Sequence, residues 1–244
     1  MSEGRRTALV TGSSGEIGGR LVQHLLAGGW HVLGVDRVAP ASVPDGLAFR
    51  QCDLANGTEA ARVLEELAAA HGACDVLVNC AGRIANSPLV TLGPAGWTVH
   101  DFELWADVIG SGLTATFHTT ALVARQMLAA KRRGVIINVS SICANGNPGQ
   151  VAYSAAKAGV NGLTRALGKE LGPLGIRVVG LAPGYFDTVS TRANVPDARL
   201  SKIAAAVPLR RLGGVQEICA AVDFIVANDY VNATVLSLDG GLVV

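Results

Sequence analysis

Charge and aromatic rings are both scarce in this chain. Only 16% of its 244 residues are Asp, Glu, Lys or Arg and only 5% are Phe, Trp or Tyr, where charged residues alone usually make up ~25%. Little of the sequence is therefore built for solvation alone, which points to a sheet covered on both faces and to contacts between subunits. The formal net charge of +1 supplies no long-range field for gathering nucleic acid or an anionic membrane. Long apolar runs are missing too: stretches such as Ala121-Leu122-Val123-Ala124 fall far short of the ~20 residues of a membrane span. Met1-Ser2-Glu3-Gly4-Arg5-Arg6 lacks the apolar stretch of a secretory leader, so a cytoplasmic location is expected. Cys52, Cys74, Cys80, Cys143 and Cys219 are odd in number and form no C-x-x-C pair, which argues against a disulfide framework and a structural zinc site. The five histidines show no ligand spacing, and His118, inside an apolar helical stretch, reads as a packing residue. No metal is expected.

What is present is an alternation. Short apolar runs at 7–10, 32–35, 48–52, 76–78, 135–139, 176–181 and 235–238 are separated by segments of helical period at 17–27, 59–70, 105–130, 151–171 and 215–227. Continuous apolar strands, each followed by a helix, predict an α/β fold of three layers, a Rossmann-like doubly wound parallel sheet. A length of 244 residues is compatible with one domain spanning 1–244. Two segments fit neither element. Residues 83–103, with Pro88 and Pro94, read as a loop or short helical excursion after a strand, and 188–207 has the small, polar character of a mobile lid. Both follow strands, on the side where open α/β sheets bind ligands, so both are expected to touch substrate.

Thr11-Gly12-Ser13-Ser14-Gly15-Glu16-Ile17-Gly18 follows the first strand and opens the first helix. Glycines there let the backbone turn tightly and approach a pyrophosphate at the positive end of the helix. Gly12, Ser14, Gly15, Ile17 and Gly18 are the expected contacts. Ser13 with Glu16 also spells a capping box. Glu16 stabilises the helix if it faces solvent and opposes bound pyrophosphate if it points inward. The second strand ends in Asp36, placed to hydrogen-bond the adenosine ribose and to repel a 2′-phosphate, so NAD is favoured over NADP. Arg37, beside it, partly offsets that repulsion.

Tyr153 and Lys157, four apart in Tyr153-Ser154-Ala155-Ala156-Lys157, share one helical face just downstream of Val135-Ile136-Ile137-Asn138-Val139-Ser140-Ser141. A free phenol titrates near ~10, and an adjacent ammonium is expected to draw it down toward proton exchange at neutral pH.

With these residues in place, the chain resembles the short-chain dehydrogenase/reductase family, in its compact subgroup, from Thr7 to Gly241. The likeness also rests on Asp53-Leu54, Asn79-Cys80-Ala81-Gly82, Pro183-Gly184 with Thr188, and Asp239-Gly240-Gly241. It implies an oxidoreductase that interconverts a secondary alcohol and a ketone as a homodimer or homotetramer. Tyr153 is then the general acid/base, Lys157 lowers its pKa and holds the nicotinamide ribose, and a serine steadies the reacting oxygen. Asp53 and Leu54 would meet the adenine, Asn79, Cys80, Ala81 and Gly82 would line the cofactor floor, and Pro183, Phe186 and Thr188 would lie by the carboxamide.

Three departures from the family pattern stand out. Glu16 replaces the middle glycine of the usual turn. The usual spacing places the catalytic serine at Ser140, whereas strand register points to Ser141, the choice made here because side-chain alternation is harder to shift than a loop is to shorten. Gly112 stands where many members carry an asparagine that holds a water in the proton relay, which leaves a backbone carbonyl, Ser111 or Thr114 for that task. Two alternative functions follow. Lys131-Arg132-Arg133 suits an acidic acyl carrier and hence a 3-oxoacyl thioester reductase, while Gly112 and Glu16 suit a catalytically weak nucleotide-sensing binding protein.

Overall fold

A computed structural model of the protein describes residues 5–194 and 196–242. Seven strands form one parallel sheet: β1 (Thr7–Thr11), β2 (His31–Asp36), β3 (Leu47–Gln51), β4 (Val76–Asn79), β7 (Gly134–Val139), β8 (Ile176–Pro183) and β9 (Val235–Leu238), in the order β3-β2-β1-β4-β7-β8-β9. Two further strands, β5 (Val90–Gly93) and β6 (Gly96–Val99), make a separate antiparallel hairpin. The doubly wound expectation holds, and the reason is visible along each strand. Ala8, Val10, Val76, Val78, Val135 and Ile137 point to one face, against Leu21, Val22 and Leu25 of α1 (Glu16–Ala27) and Ile218, Val222 and Ile225 of α8 (Val215–Ala227). Leu9, Leu33, Leu77 and Ile136 point to the other, against Val63, Leu64 and Leu67 of α2 (Gly57–His71) and Val123 and Met127 of α4 (Ala115–Ala129). Both parities of β1, β2, β4, β7 and β8 are buried, so no polar alternation appears in these runs, while the edge strands β3 and β9 are only partly covered.

Three expectations about irregular segments are corrected. Residues 83–103 hold the β5–β6 hairpin and the start of α3 (Phe102–Ile109), not a loop or helical excursion. Val90-Thr91-Leu92 and Trp97-Thr98-Val99 do alternate apolar and polar, but each strand is only four residues long and Pro94 stands between them, which makes the pattern read as a loop. Within the predicted lid 188–207 the described residues include two helices, α6 (Val189–Asn194) and α7 (Asp197–Ala206), with position 195 outside them. The long helix 105–130 starts at Phe102 and passes through a π-helical turn, Gly110–Thr114, before α4. A wide turn of this kind, inside an otherwise α-helical run, is a frequent mark of a functional site.

Sheet order reverses between β1, whose crossover leads to β2 on one side, and β4 on the other, so the chain leaves a crevice beyond the carboxyl ends of these strands. α5 (Val151–Leu171) lies beyond that crevice with its first turns facing it.

Candidate active site

A groove of about 400 Å³ occupies the crevice. Its walls are Gly12, Ser14 and Gly15 after β1, Asp36 and Arg37 after β2, Asp53 and Leu54 after β3, Cys80, Ala81, Gly82 and Arg83 after β4, and Ser111 and Ala115 near the π turn. Gly12 has φ +67°, and a β-carbon there would sit 2.8 Å from the Ala81 backbone, so only glycine lets the first turn close on the loop after β4. Thr11 Oγ1 fixes that closure by accepting from the Cys80 and Ala81 N–H groups, each at 3.2 Å. Asp36 is held from two sides, its carboxylate accepting from Ser14 N–H and Val38 N–H at 3.0 Å. Asp53 Oδ1 accepts from Ala55 N–H at 3.0 Å, turning the chain toward α2.

Other predicted contacts do not line the groove. Gly18 is buried under the turn, where a β-carbon would lie 2.1 Å from the Gly12 carbonyl oxygen, and Ile17 packs against the core. The Asn79 side chain is buried, donating to Thr120 Oγ1 at 3.0 Å and Asn138 Oδ1 at 2.9 Å, so it braces the sheet behind the floor. Pro183 ends β8. The Phe186 ring is buried in the core and packs over Gly213, and the Thr188 hydroxyl accepts from Thr191 N–H at 3.0 Å at the start of α6. A carboxamide would meet Phe186 and Thr188 through their backbone, since both side chains are already engaged.

Ser141, Tyr153 and Lys157 are buried and do not line the groove themselves; Lys157 Nζ lies 3.5 Å from the β-carbon position of Gly82, a groove wall. Tyr153 and Lys157 lie one turn apart on α5, and Ser141 ends the β7 segment, capping the short 3-10 helix Ile142–Asn145 by accepting from Cys143 N–H at 3.1 Å. Ser141 lies near enough to the Tyr153 hydroxyl to oppose the rise of its pKa. Ser140 instead turns inward and donates to the Lys157 backbone carbonyl at 3.3 Å. Register thus separates the two serines as β alternation requires, one toward the phenol and one away.

The expected acidification of the phenol is corrected here. Burial of Tyr153 raises its pKa above the usual phenol range despite the opposing effect of Ser141. Lys157 does not reach the hydroxyl: its ammonium is 5.7 Å from the Tyr153 ring centre and donates to the Val139 carbonyl at 2.7 Å. Burial also draws the Lys157 pKa down to about 8.

At the family's asparagine position, the Gly112 carbonyl accepts from Thr116 Oγ1 at 2.9 Å, and the Ser111 hydroxyl donates to the Asp107 carbonyl at 2.7 Å. The Gly112 α-carbon lies 3.5 Å from where a Gly82 β-carbon would be, so the π turn comes right up to the groove. Glu16 Oε1 accepts from Val189 N–H at 2.6 Å, tying the start of α1 to α6.

Sequence reasoning missed two groups. Gln150 Oε1 accepts from Asn147 Nδ2 at 2.9 Å and from the Cys143 thiol at 3.1 Å, while Gln150 Nε2 donates to Asn86 Oδ1 at 2.7 Å. This joins the segment after β4 to the start of α5. Asp107 binds both Arg37 and Arg83 across the groove rim. Neither carries a local motif, because each set is assembled from elements far apart in sequence.

Comparison with known proteins agrees with this geometry. The family model described as short chain dehydrogenase matches residues 6–199. The chain belongs to that family and is an NAD(P)-dependent oxidoreductase. Among its relatives are the 3-oxoacyl-[acyl-carrier-protein] reductase FabG of Salmonella typhimurium, 37% identical with 99% of each chain covered, and the FabG of Escherichia coli K12, 36% identical with 97% of each covered. The acetoacetyl-CoA reductase of an Acinetobacter species is 35% identical over 99% of each chain. A solved 4-hydroxyisoleucine dehydrogenase complexed with NADH shares the fold, with a TM-score of 0.84 at 24% identity over 97% of this chain and 98% of that one. No helix among the described residues is long and apolar enough to cross a membrane.

Proposed function

We propose that this protein is an NAD(H)-dependent oxidoreductase that interconverts a secondary alcohol and a ketone, with Tyr153 as general acid/base. The observation that carries this reading is the grouping of Ser141, Tyr153 and Lys157 behind Gly82, a wall of the glycine-turned groove whose β-carbon position lies 3.5 Å from Lys157 Nζ. The groove suits a dinucleotide: Gly12 and Gly15 line it without side chains just before α1, and Asp36 offers a carboxylate to ribose hydroxyls. When bound, the nicotinamide supplies or accepts the hydride. Ser141 orients the substrate oxygen beside the phenol, and Tyr153 O–H gives its proton to that oxygen in reduction or takes one back in oxidation. Lys157 holds a proton donor near the ribose hydroxyls, and its depressed pKa brings proton exchange close to neutral pH. NAD is favoured over NADP because Asp36 faces the groove and the Arg37 guanidinium is engaged by Asp107.

The test is nicotinamide absorbance across a panel of alcohols and ketones with NAD(H), for the wild type and Tyr153→Phe. Turnover that falls by ~10²–10⁴ in the variant with cofactor affinity retained is expected. Absence of turnover across the panel, or full activity in Tyr153→Phe, refutes the reading.

A 3-oxoacyl thioester is the second substrate class, favoured by the names of the relatives. Lys131, Arg132 and Arg133 lie just before β7, at the end of the sheet opposite the groove, and Arg132 is paired with Asp75 at 2.7 Å. Their position argues against delivering a carrier-bound chain to the groove of the same protomer. Comparing carrier-linked, coenzyme A-linked and small ketones, with and without Arg133→Glu, separates the two classes.

A further inference from the structure

Asp107 lies on α3, one helical turn before Ser111. Its carboxylate is held from both sides of the groove: Arg37 Nη1 donates to Oδ1 at 2.8 Å and Arg83 Nη1 to Oδ2 at 2.6 Å. The two guanidiniums, Arg37 foremost, keep the Asp107 carboxyl below the usual carboxylate range. Arg37 and Arg83 are themselves groove walls, so the three side chains bridge the rim over β2 to the rim formed by α3.

Arg37 directly follows Asp36, the carboxylate placed for the ribose hydroxyls. A guanidinium at that place has the forked geometry to pair with a 2′-phosphate. Here the fork is turned away, onto α3.

We propose that Asp107 is a specificity-determining residue, which holds Arg37 out of reach of a 2′-phosphate and so favours the dinucleotide with a free 2′-hydroxyl. This rests on the dinucleotide reading of the groove given above. Two effects work in the same direction. Geometrically, Arg37 must break from Asp107 before it can meet a phosphate. Electrostatically, Asp36, Asp53 and Asp107 outnumber Arg37 and Arg83 around this rim, which repels a second phosphate. Asp107→Asn removes that excess and frees Arg37 together. Both partners are partly solvated, with side-chain exposures of 50% for Arg37 and 27% for Asp107, so the effect is several-fold and weakens with salt.

The experiment measures dissociation constants for NADH and NADPH by nicotinamide fluorescence, using the intact wild type, Asp107→Asn, Arg37→Met and the double variant. In Asp107→Asn, NADPH is expected to bind about fivefold more tightly while NADH stays within about twofold. Adding Arg37→Met removes the gain. Arg37→Met alone weakens NADPH binding by no more than about threefold, through the added net negative charge, because the guanidinium is already engaged elsewhere. This last arm does not depend on the folding of Asp107→Asn. The proposal is overturned if Asp107→Asn moves both dinucleotides equally, if the gain survives in the double variant, or if Arg37→Met alone weakens NADPH binding about fivefold or more. A wild type that binds neither dinucleotide overturns the groove reading itself. Binding of both with an unchanged ratio in Asp107→Asn overturns only the role of Asp107.

Discussion

The groove and the segments outside the sheet are built on different principles. Under the glycine turn, each wall is the carboxyl end of a buried strand or the residues just after it, and the backbone is pinned by Thr11, Asp36 and Asp53. Outside the seven-stranded sheet stand added segments: the β5–β6 hairpin, whose strands pair only with each other, and the short helices α6 and α7. The hairpin even exposes apolar side chains, with Trp97 at 72%. It is joined to the body through Ser87 N–H, which donates to the Gly149 carbonyl at 2.8 Å, and through the Asn86–Gln150 hydrogen bond. An isolated two-stranded hairpin is marginally stable in water. The strand-borne half is therefore the more rigid and the half around the hairpin the more adjustable.

Lys157→Met tests the hinge between the two halves and has the largest expected effect. Turnover should fall by ~10²–10⁴, while the unliganded protein at pH 7 becomes more heat-stable because a buried ammonium is gone. The sign with pH is set by a folded-state pKa of about 8 against an ordinary 10.5. Between those values the unfolded chain binds more protons, so wild-type stability rises with pH, and below about 8 the penalty is present in full. Above pH 10 the raised Tyr153 pKa acts in the opposite direction, so melting curves are compared from pH 7 to 10. A wild-type curve parallel to that of the variant across this range would contradict the buried-ammonium assignment.

Gly18→Ala strikes the rigid half. Its β-carbon would lie 2.1 Å from the Gly12 carbonyl oxygen, so the turn must shift, at a cost of ~2 kcal/mol or more in denaturant midpoint analysis, with dinucleotide affinity lost alongside. Unchanged stability would mean the turn is looser than described. Glu16→Gln is a smaller perturbation at the junction of turn and α6. Removing a negative charge at the start of α1 should tighten NADH binding by about two- to fivefold, read by titration, with stability nearly unchanged. Weaker binding in Glu16→Gln would show that the bond to Val189 matters more than the charge. Trp97→Ser, on the exposed hairpin, should change stability by less than about 0.5 kcal/mol in chemical denaturation. A loss several times larger would show the hairpin packed against something, a second subunit included.

Most of the fold and the rigid half of the site were legible in the sequence. Strands buried on both faces had to be continuous apolar runs, and Gly12, Asp36, Asp53 and Gly82 follow their strands in the order that the crevice requires. The choice of Ser141 over Ser140 rests on the same alternation, and Ser140 Oγ is occupied by the Lys157 carbonyl. The adjustable half was read less well. Pro94 and the shortness of its strands hid the hairpin, and the small, polar residues of 188–207 concealed two helices that owe little to local period.

The acidity of Tyr153 was misjudged for a different reason. Spacing on a helix shows that two side chains share a face, but burial and the reach of Lys157 to the Val139 carbonyl decide what each feels. Sequence alone determined the doubly wound sheet, the family and the residues available for chemistry, because backbone periodicity and glycine turns act over a few neighbouring positions. Only the tertiary structure decided the charge state around Tyr153, the engagement of Arg37 by Asp107, and the tie from Glu16 to α6. Electrostatics and desolvation depend on distance in space, and these partners lie 18 to 173 positions apart along the chain.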